Sequence, residues 1–287
     1  MKGKGIKVED SSRDRVTKVK IALIGGGNMG EAMLSAILDK GLSSPQAISV
    51  SDINEIRRQH LEQKYGVAVT SDNRLAAEKG EVVVLAIKPQ NLTEVMAELG
   101  GQLEPTQLVL SIIAGASINT LCLGLKHSRV TRAMPNTPAQ IGEGISVWTA
   151  TAEVTKQQRG WTSSILSAIG KEIYVDDEKY IDMATAVSGS GPAYFFLFVE
   201  ALVEAAVQIG LPHDVAQELV LQTMLGSAHL MQGSGKEPSA LRRMVTSPGG
   251  TTAEALLKLE KGGFASLLSQ AVSAAHNKAK RLGSEQQ

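Results

Sequence analysis

The chain predicts an open, doubly wound α/β sheet over its first part and an all-α half after it. Three observations carry that prediction. Short β-branched and aliphatic runs alternate with helical spacing as far as Val175. A glycine cluster, Gly25-Gly26-Gly27-Asn28-Met29-Gly30, stands at the first strand-to-helix turn. Beyond Val175 the strand signal almost stops and long helical periodicity replaces it. Unbroken apolar strands suit a parallel sheet buried on both faces, and regular β–α alternation suits a doubly wound one.

Taken in order, residues 1–18 mix Lys, Arg, Asp and Glu without an apolar core, so they read as a flexible tail. Lys20 to Ile24 is a short apolar strand that runs into the glycines. Asn28 to Lys40 then has helical apolar spacing (Met29, Met33, Leu34, Ile37, Leu38) and stops at Gly41. Ile48 to Asp52 reads as a strand and Asn54 to Tyr65 as a helix. Val82–Ile87, Leu108–Ile113, Arg129–Met134, Ile145–Ala150 and Lys171–Val175 supply further strands. From Glu178 to Gln232 the helical pattern is rich in small residues, such as Ala201, Ala205 and Gly226. Helices with so much small and apolar surface must bury more than one face, which favours a partner subunit. The expected division is therefore a dinucleotide-binding domain over 19–176 and a helical substrate and dimerisation domain over 177–287.

Composition narrows the function. Length allows one to three domains, at roughly 100–200 residues each. Lys plus Arg equals Asp plus Glu at 29 each, which gives no single-sign field to attract nucleic acid or an anionic membrane. An aromatic share of 3% also leaves few stacking platforms for single strands. Cys122 is the sole cysteine, so no intrachain disulfide is possible and a reducing, cytoplasmic setting is expected. No transmembrane run of ~18 apolar residues is expected. His213, His229 and His276 lack metal-ligand spacing, and no metal site is expected.

Two glycine turns carry the chemistry. Gly25, Gly27 and Gly30 have G-x-G-x-x-G spacing directly after a strand and opening a helix, which marks a Rossmann-like dinucleotide site. Gly25 would make the tight turn, Gly27 admit the pyrophosphate and Gly30 let helix and strand pack closely. The phosphates would rest on free N–H groups at the helix N-terminus. Asp52, at the end of the next strand, can accept bonds from the adenosine ribose hydroxyls, which argues for NAD. Arg57 and Arg58 either bind a 2′-phosphate, arguing for NADP, or form a solvated helix face. Asn136, between two prolines, is a turn former or an amide ligand for the nicotinamide. Far away, Ser247-Pro248-Gly249-Gly250-Thr251-Thr252 places a second Gly-Gly turn ahead of a helix. Its N–H groups can hold a small carboxylate, or Thr251 or Thr252 can cap a helix beginning near Ala253.

Five motifs, in order, make the chain resemble the pyrroline-5-carboxylate reductase family. They are Ile24-Gly-Gly-Gly-Asn-Met, Ala86-Ile-Lys-Pro-Gln, Met134-Pro-Asn-Thr-Pro, Ala186-Val-Ser-Gly-Ser-Gly-Pro-Ala-Tyr and Val245-Thr-Ser-Pro-Gly-Gly-Thr-Thr. The resemblance runs from about residue 20 to 280. It implies reduction of 1-pyrroline-5-carboxylate to L-proline with NADPH or NADH, by a homodimer or larger homo-oligomer. By position it implies cofactor contacts from Gly25 to Gly30, Asn73, Ala86, Ile87, Lys88, Pro89, Ile112, Ile113 and Ala114. It implies a ring site built across the dimer from Glu178, Met244, Ser247, Gly249, Gly250, Thr251 and Thr252. Gly30 stands where the family often has Ala, an exchange expected to be benign. Asp52 stands where NADPH-preferring members commonly carry a small or hydroxyl residue.

The chemistry asks little acid catalysis of the protein. A cyclic imine nitrogen can be protonated near neutral pH, and Thr252 could hydrogen-bond it and relay a proton. Two other enzymes remain open at this stage, a related imine reductase and a β-hydroxyacid dehydrogenase. The latter needs a lysine where the chain has Ser188-Gly189-Ser190-Gly191-Pro192-Ala193-Tyr194. A non-catalytic dinucleotide-sensing dimer also remains, and it would not need Thr252.

Overall fold

The computed structural model describes residues 19–284, so the expected tail over residues 1–18 lies outside the described residues. The first half runs β1 (Ile21–Ile24), α1 (Asn28–Asp39), β2 (Ile48–Ser51), α2 (Glu55–Tyr65), β3 (Ala68–Thr70), α3 (Asn73–Ala77) and β4 (Val82–Leu85). It continues through α4 (Leu92–Leu99), β5 (Leu108–Ser111), α5 (Ile118–Leu125), β6 (Val130–Met134), β7 (Gly144–Ala150), α6 (Lys156–Ala168) and β8 (Gly170–Tyr174). The eight strands form one sheet in the order β3-β2-β1-β4-β5-β6-β7-β8.

Both faces of the sheet are covered, as unbroken apolar strands require. Along β1, Ile21 and Leu23 enter one core with Met33, Leu34, Ile37 and Leu61 of α1 and α2. Ala22 and Ile24 point the other way, into a second core with Val95 and Leu99 of α4 and Leu121 of α5. The helices follow from their sequences. Gly30, Met33, Leu34 and Ile37 give α1 one buried stripe. Asn54 caps α2, accepting from the Arg57 N–H, and Gly66 closes it in the left-handed region. Thr155 and Gln158 form a reciprocal capping box on α6.

Two features depart from the parallel expectation. β7 pairs antiparallel with β6, while every other pairing is parallel. Only a short 3-10 turn, Thr137–Ile141, lies between those strands, too little chain for a crossover. β3 is a three-residue edge strand, part-exposed, that the sequence does not announce.

The second half is helical throughout: α7 (Lys179–Ala184), a π turn (Thr185–Gly189), α8 (Gly191–Gln208), α9 (His213–Ser234), α10 (Pro238–Met244), α11 (Thr251–Lys261) and α12 (Phe264–Ser284). α8 packs on α9 around Val203, Ala216 and Val220. α12 returns along α7 and the π turn, and its Leu282 closes on Gly115 beyond β5. Much of this half is uncovered: Phe195, Phe196, Leu197 and Phe198 on α8 and Leu219, Leu221 and Leu225 on α9 are exposed. The expectation of no membrane-length apolar run needs correction. Lys179–Gln208 is a continuous 30-residue helix long and apolar enough to cross a membrane, with a window of mean hydropathy 1.4 that is only 17% buried in one protomer. The π turn lets α7 and α8 run on as one element, which interrupted sequence spacing conceals.

Candidate active site

The glycine loop leaves β1 at the carboxyl edge of the sheet. Gly25 has φ +102°, in the region that favours glycine, and a Cβ there would meet the Ala86 carbonyl oxygen at 2.6 Å. A Cβ on Gly27 would meet nothing within 4 Å, so the loop is open where a pyrophosphate must approach. Gly27 is also the N-cap of α1 and no side chain caps the helix, leaving its first N–H groups to a ligand. Asn28 and Met29 form the first helical turn. At Gly30 a Cβ would lie 2.2 Å from the Gly25 carbonyl oxygen. Alanine at 30 is therefore not benign on this backbone, because the obstacle is main chain and the loop itself would have to move.

Asp52 follows β2. Its Oδ2 accepts from the Gly26 N–H at 2.9 Å and its Oδ1 from the Asn54 N–H at 2.8 Å. Neither arginine on the following helix is a solvated surface group. Arg57 donates through Nε to the Gly26 carbonyl and through Nη2 to Glu31. Arg58 Nη1 donates to the carbonyls of Asp52 and Ile53, at 2.7 and 3.1 Å. Glu31 also receives Lys64 and Tyr65 at 2.9 Å and has His60 Nε2 at 3.0 Å. Burial pushes the Glu31 carboxyl up, but the hydrogen bonds from Lys64, His60 and Tyr65 and the Arg57 charge outweigh it and hold it at about 2.

The other expected cofactor residues gather on the same edge. Asn73 opens α3 with its amide fixed: Oδ1 accepts from Ser51 Oγ and Nδ2 donates to Glu98, both at 2.6 Å. Ala86 and Ile87 follow β4, next to the loop, with the Ala86 N–H on the Ile24 carbonyl at 2.8 Å. Lys88 is exposed, and Pro89 opens a 3-10 turn as its fixed φ favours. Ile112 and Ile113 are buried beyond β5, and Ala114 is half-buried. The strand ends of β1, β4 and β5 thus sit side by side, where ligands bind in open α/β sheets. A cavity of about 480 Å³ opens at the opposite edge, lined by residues that precede strands, Lys20, Glu81, Gln107 and Arg129 among them. The glycine loop lies at the carboxyl edge, away from that cavity. Asn136 braces its turn through Oδ1, which accepts from the Ile145 N–H at 2.9 Å.

Ser247–Thr252 joins α10 to α11. Gly249 has φ +70°, and the Gly250 N–H closes on the Ser247 carbonyl at 3.1 Å. α11 begins at Thr251 rather than Ala253, its N-cap is Gly250, and neither threonine caps it. The competition between capping and anion binding is thereby removed, and the first N–H groups of an 11-residue helix face outward beside two hydroxyls. Met244, which ends α10, is exposed. Among the described residues, no hydrogen bond or ion pair ties this turn to the sheet.

Glu178 lies elsewhere. Its Oε1 accepts from the Ile118 N–H at 2.8 Å and from Arg132 Nη1 at 2.7 Å. Arg132 Nη2 reaches Asp182 at 2.6 Å, and the buried Nε has no partner. Glu178 therefore joins α5, β6 and α7, with no hydrogen bond to the Ser247–Thr252 turn. Sequence reasoning missed Arg132 and Asp182. The available signal was an arginine inside a buried strand, which demands paired carboxylates. Among the described residues, no group of three His, Cys, Asp or Glu could hold a metal ion.

Comparison with known proteins agrees with these two halves. Residues 178–282 match the family model described as pyrroline-5-carboxylate reductase dimerisation. Residues 20–115 match that described as NADP oxidoreductase coenzyme F420-dependent. A pyrroline-5-carboxylate reductase of Synechocystis is 42% identical over 266 residues, covering 92% of this chain and 98% of its own. The Arabidopsis thaliana enzyme of that name is 36% identical, covering 92% and 95%. The solved structure of a pyrroline-5-carboxylate reductase from Coxiella burnetii is 39% identical and superposes with TM-score 0.85 over 92% of this chain and 98% of that one. The Plasmodium falciparum pyrroline carboxylate reductase, solved with NADP bound, is 30% identical with TM-score 0.84 over the same shares.

Proposed function

From the premise that the chain belongs to the pyrroline-5-carboxylate reductase family, we propose how its two halves divide one reaction. The enzyme reduces 1-pyrroline-5-carboxylate to L-proline, the last step of proline biosynthesis, using NADPH or NADH. The observation that carries the assignment is the glycine loop left open at Gly27 ahead of α1, in a chain whose second half matches the dimerisation model of that family.

The residues fit a dinucleotide. Gly27 leaves the cradle open, the α1 N–H groups face it, and Asp52 closes the ribose end. When bound there, the dinucleotide supplies the hydride that ends on C5 of the imine. Ala86–Pro89 and Ile112–Ala114 would hold the nicotinamide end, and the apolar Ala86, Ile87, Ile112 and Ile113 among them would exclude water from the transfer. The substrate carboxylate takes the free N–H groups of Thr251 and Thr252, on a turn shaped by Ser247, Gly249 and Gly250. Thr252 holds the ring nitrogen through its hydroxyl as the nitrogen passes from iminium to amine. Met244 supplies an apolar wall.

A homodimer completes the site. The uncovered faces of α8 and α9 lie within the dimerisation match, and a partner brings its α11 turn towards the sheet edge that one protomer's own turn does not reach. The domains meet near residue 176, between the last strand and the first helix of the second half. We read the enzyme as cytoplasmic and assign it no nucleic-acid or membrane partner. Its charge is balanced, the dimer covers its apolar helices, and burial raises its single thiol, Cys122, away from reactivity.

Purified protein is expected to oxidise NADPH or NADH only when the cyclic imine is supplied. Turnover of a 3-hydroxyacid in the reverse direction, with none of the imine, would overturn the assignment. It would put a β-hydroxyacid dehydrogenase in its place, although Ser188–Tyr194 offers no lysine for that chemistry.

A further inference from the structure

Gly26 is held through both of its main-chain polar groups. Its N–H donates to Asp52, and its carbonyl accepts from Arg57 Nε. The Arg57 guanidinium and Asp52, the acid that follows β2, are therefore held on the main chain of one residue. In a sheet of this type the adenosine ribose rests there, together with the 2′-phosphate when the cofactor carries one. Guanidinium is the side chain best suited to that phosphate, through two parallel N–H bonds. In this chain the Nε–Nη2 edge that would make them is taken by the Gly26 carbonyl and by Glu31.

Glu31 is unusually well fastened. It sits on α1 and gathers Arg57, His60, Lys64 and Tyr65, all from α2 and its end. Its side chain is 16% exposed and that of Arg57 24%, so the pair is shielded from salt. A plain clasp between two helices would need one of these donors. Four, with Arg57 drawn inward, set the charge beside the ribose.

We propose that Glu31 selects the cofactor by restraint: it holds Arg57 against the glycine loop and neutralises it, withholding the guanidinium from a 2′-phosphate and turning the enzyme towards NADH. The inference rests on the assignment of Gly25–Gly30 as the dinucleotide loop of an imine reductase. Glu31 acts through Arg57 and touches no substrate.

The test is the ratio of kcat/KM for NADPH to that for NADH, at fixed imine, in four enzymes: the natural chain, Glu31→Gln, Arg57→Gln and the double variant. Glu31→Gln is expected to raise the ratio about tenfold, the size of one charge-assisted hydrogen bond, with KM for the imine unchanged. Arg57→Gln alone is expected to leave the ratio within about threefold, and the double variant to lose the gain, because the two residues act as one unit. A ratio that stays level or falls in Glu31→Gln overturns the proposal. So does a tenfold fall in Arg57→Gln, which would mean that Arg57 already grips the phosphate. If Glu31→Gln does not fold, Glu31→Asp draws the carboxylate back from Nη2 and must move the ratio in the same direction. A natural chain inactive with the imine and both cofactors would sink the family reading instead, which separates the two failures.

Discussion

Replacing Glu178 by Ala decides between two employments for that carboxylate. The resemblance to the family assigns it to the substrate, while the structure gives its Oε1 to the Ile118 N–H and to Arg132. Losing hydrogen bonds to charged groups costs about 1.5–3 kcal/mol, and breaking a fully buried ion pair about 3–5 kcal/mol. Here Arg132 is 3% exposed but the Glu178 side chain is 32% exposed, and Asp182 remains as a second partner. Solvent screening therefore draws the value towards the lower figures, about 2–3 kcal/mol. At about 2–4 °C per kcal/mol for a chain somewhat shorter than this one, the melting temperature should fall by about 4–12 °C. The loop from Ile112 to Ser117 hangs on the same hydrogen bond, so KM for the dinucleotide should rise several-fold while KM for the imine stays level. Calorimetry and steady-state kinetics on one preparation read both quantities. An unchanged melting temperature with an imine KM raised tenfold or more would refute the argument and return Glu178 to the substrate.

Three further outcomes are expected. Thr252→Val keeps the backbone donors and nearly the same shape, so dinucleotide affinity should hold while kcat falls about tenfold to a hundredfold, the cost of one hydrogen bond to a developing charge; full activity would remove Thr252 from the mechanism. Asp52→Ser should move the kcat/KM ratio towards NADPH by taking a negative charge away from the 2′-phosphate, and an unmoved ratio would place Asp52 off the ribose. Glu31 governs acid stability: its carboxyl is at about 2 in the folded chain against 4.5 as the reference. A depressed carboxyl stabilises the fold above pH 4.5 and loses that contribution as pH falls towards 2, so acid unfolding of Glu31→Gln should show a shallower pH dependence across that window.

The sheet was legible because its strands are short, apolar and punctuated by glycine or helical spacing. Its boundaries drifted most where backbone pairing stops before the apolar run does, as at Ile87 and Ile113, and by one residue at other strand ends such as Lys20, Asp52 and Arg129. β3 escaped because Ala68-Val69-Thr70 is an edge strand with a single neighbour and little to bury. The reversal of β7 turns on the length of the connection after Pro135, a geometric limit that apolar patterning does not encode. In the site, the glycines announce themselves because no other residue fits at Gly25. Glu31 and Arg132 do not, since each has meaning only through partners distant in sequence. The same blindness left a solvated face open as one of two readings of Arg57: the Gly26 carbonyl that holds it is 31 positions away. It also left open a threonine cap on α11 that the turn does not use.

The uncovered faces of α8 and α9 have a consequence for how the protein survives in a cell. Each newly made chain can finish its sheet alone, since those cores close within one protomer. Among the described residues its helical half has one small core cluster, Val203, Ala216 and Val220, and its exposed apolar faces wait for a second copy. Resistance to heat and to proteases should then climb with protein concentration, as mass action requires for folding coupled to assembly. Subunits that outnumber their partners would be the ones surrendered to chaperones and degradation. The enzyme's abundance is thereby tied to its own rate of encounter.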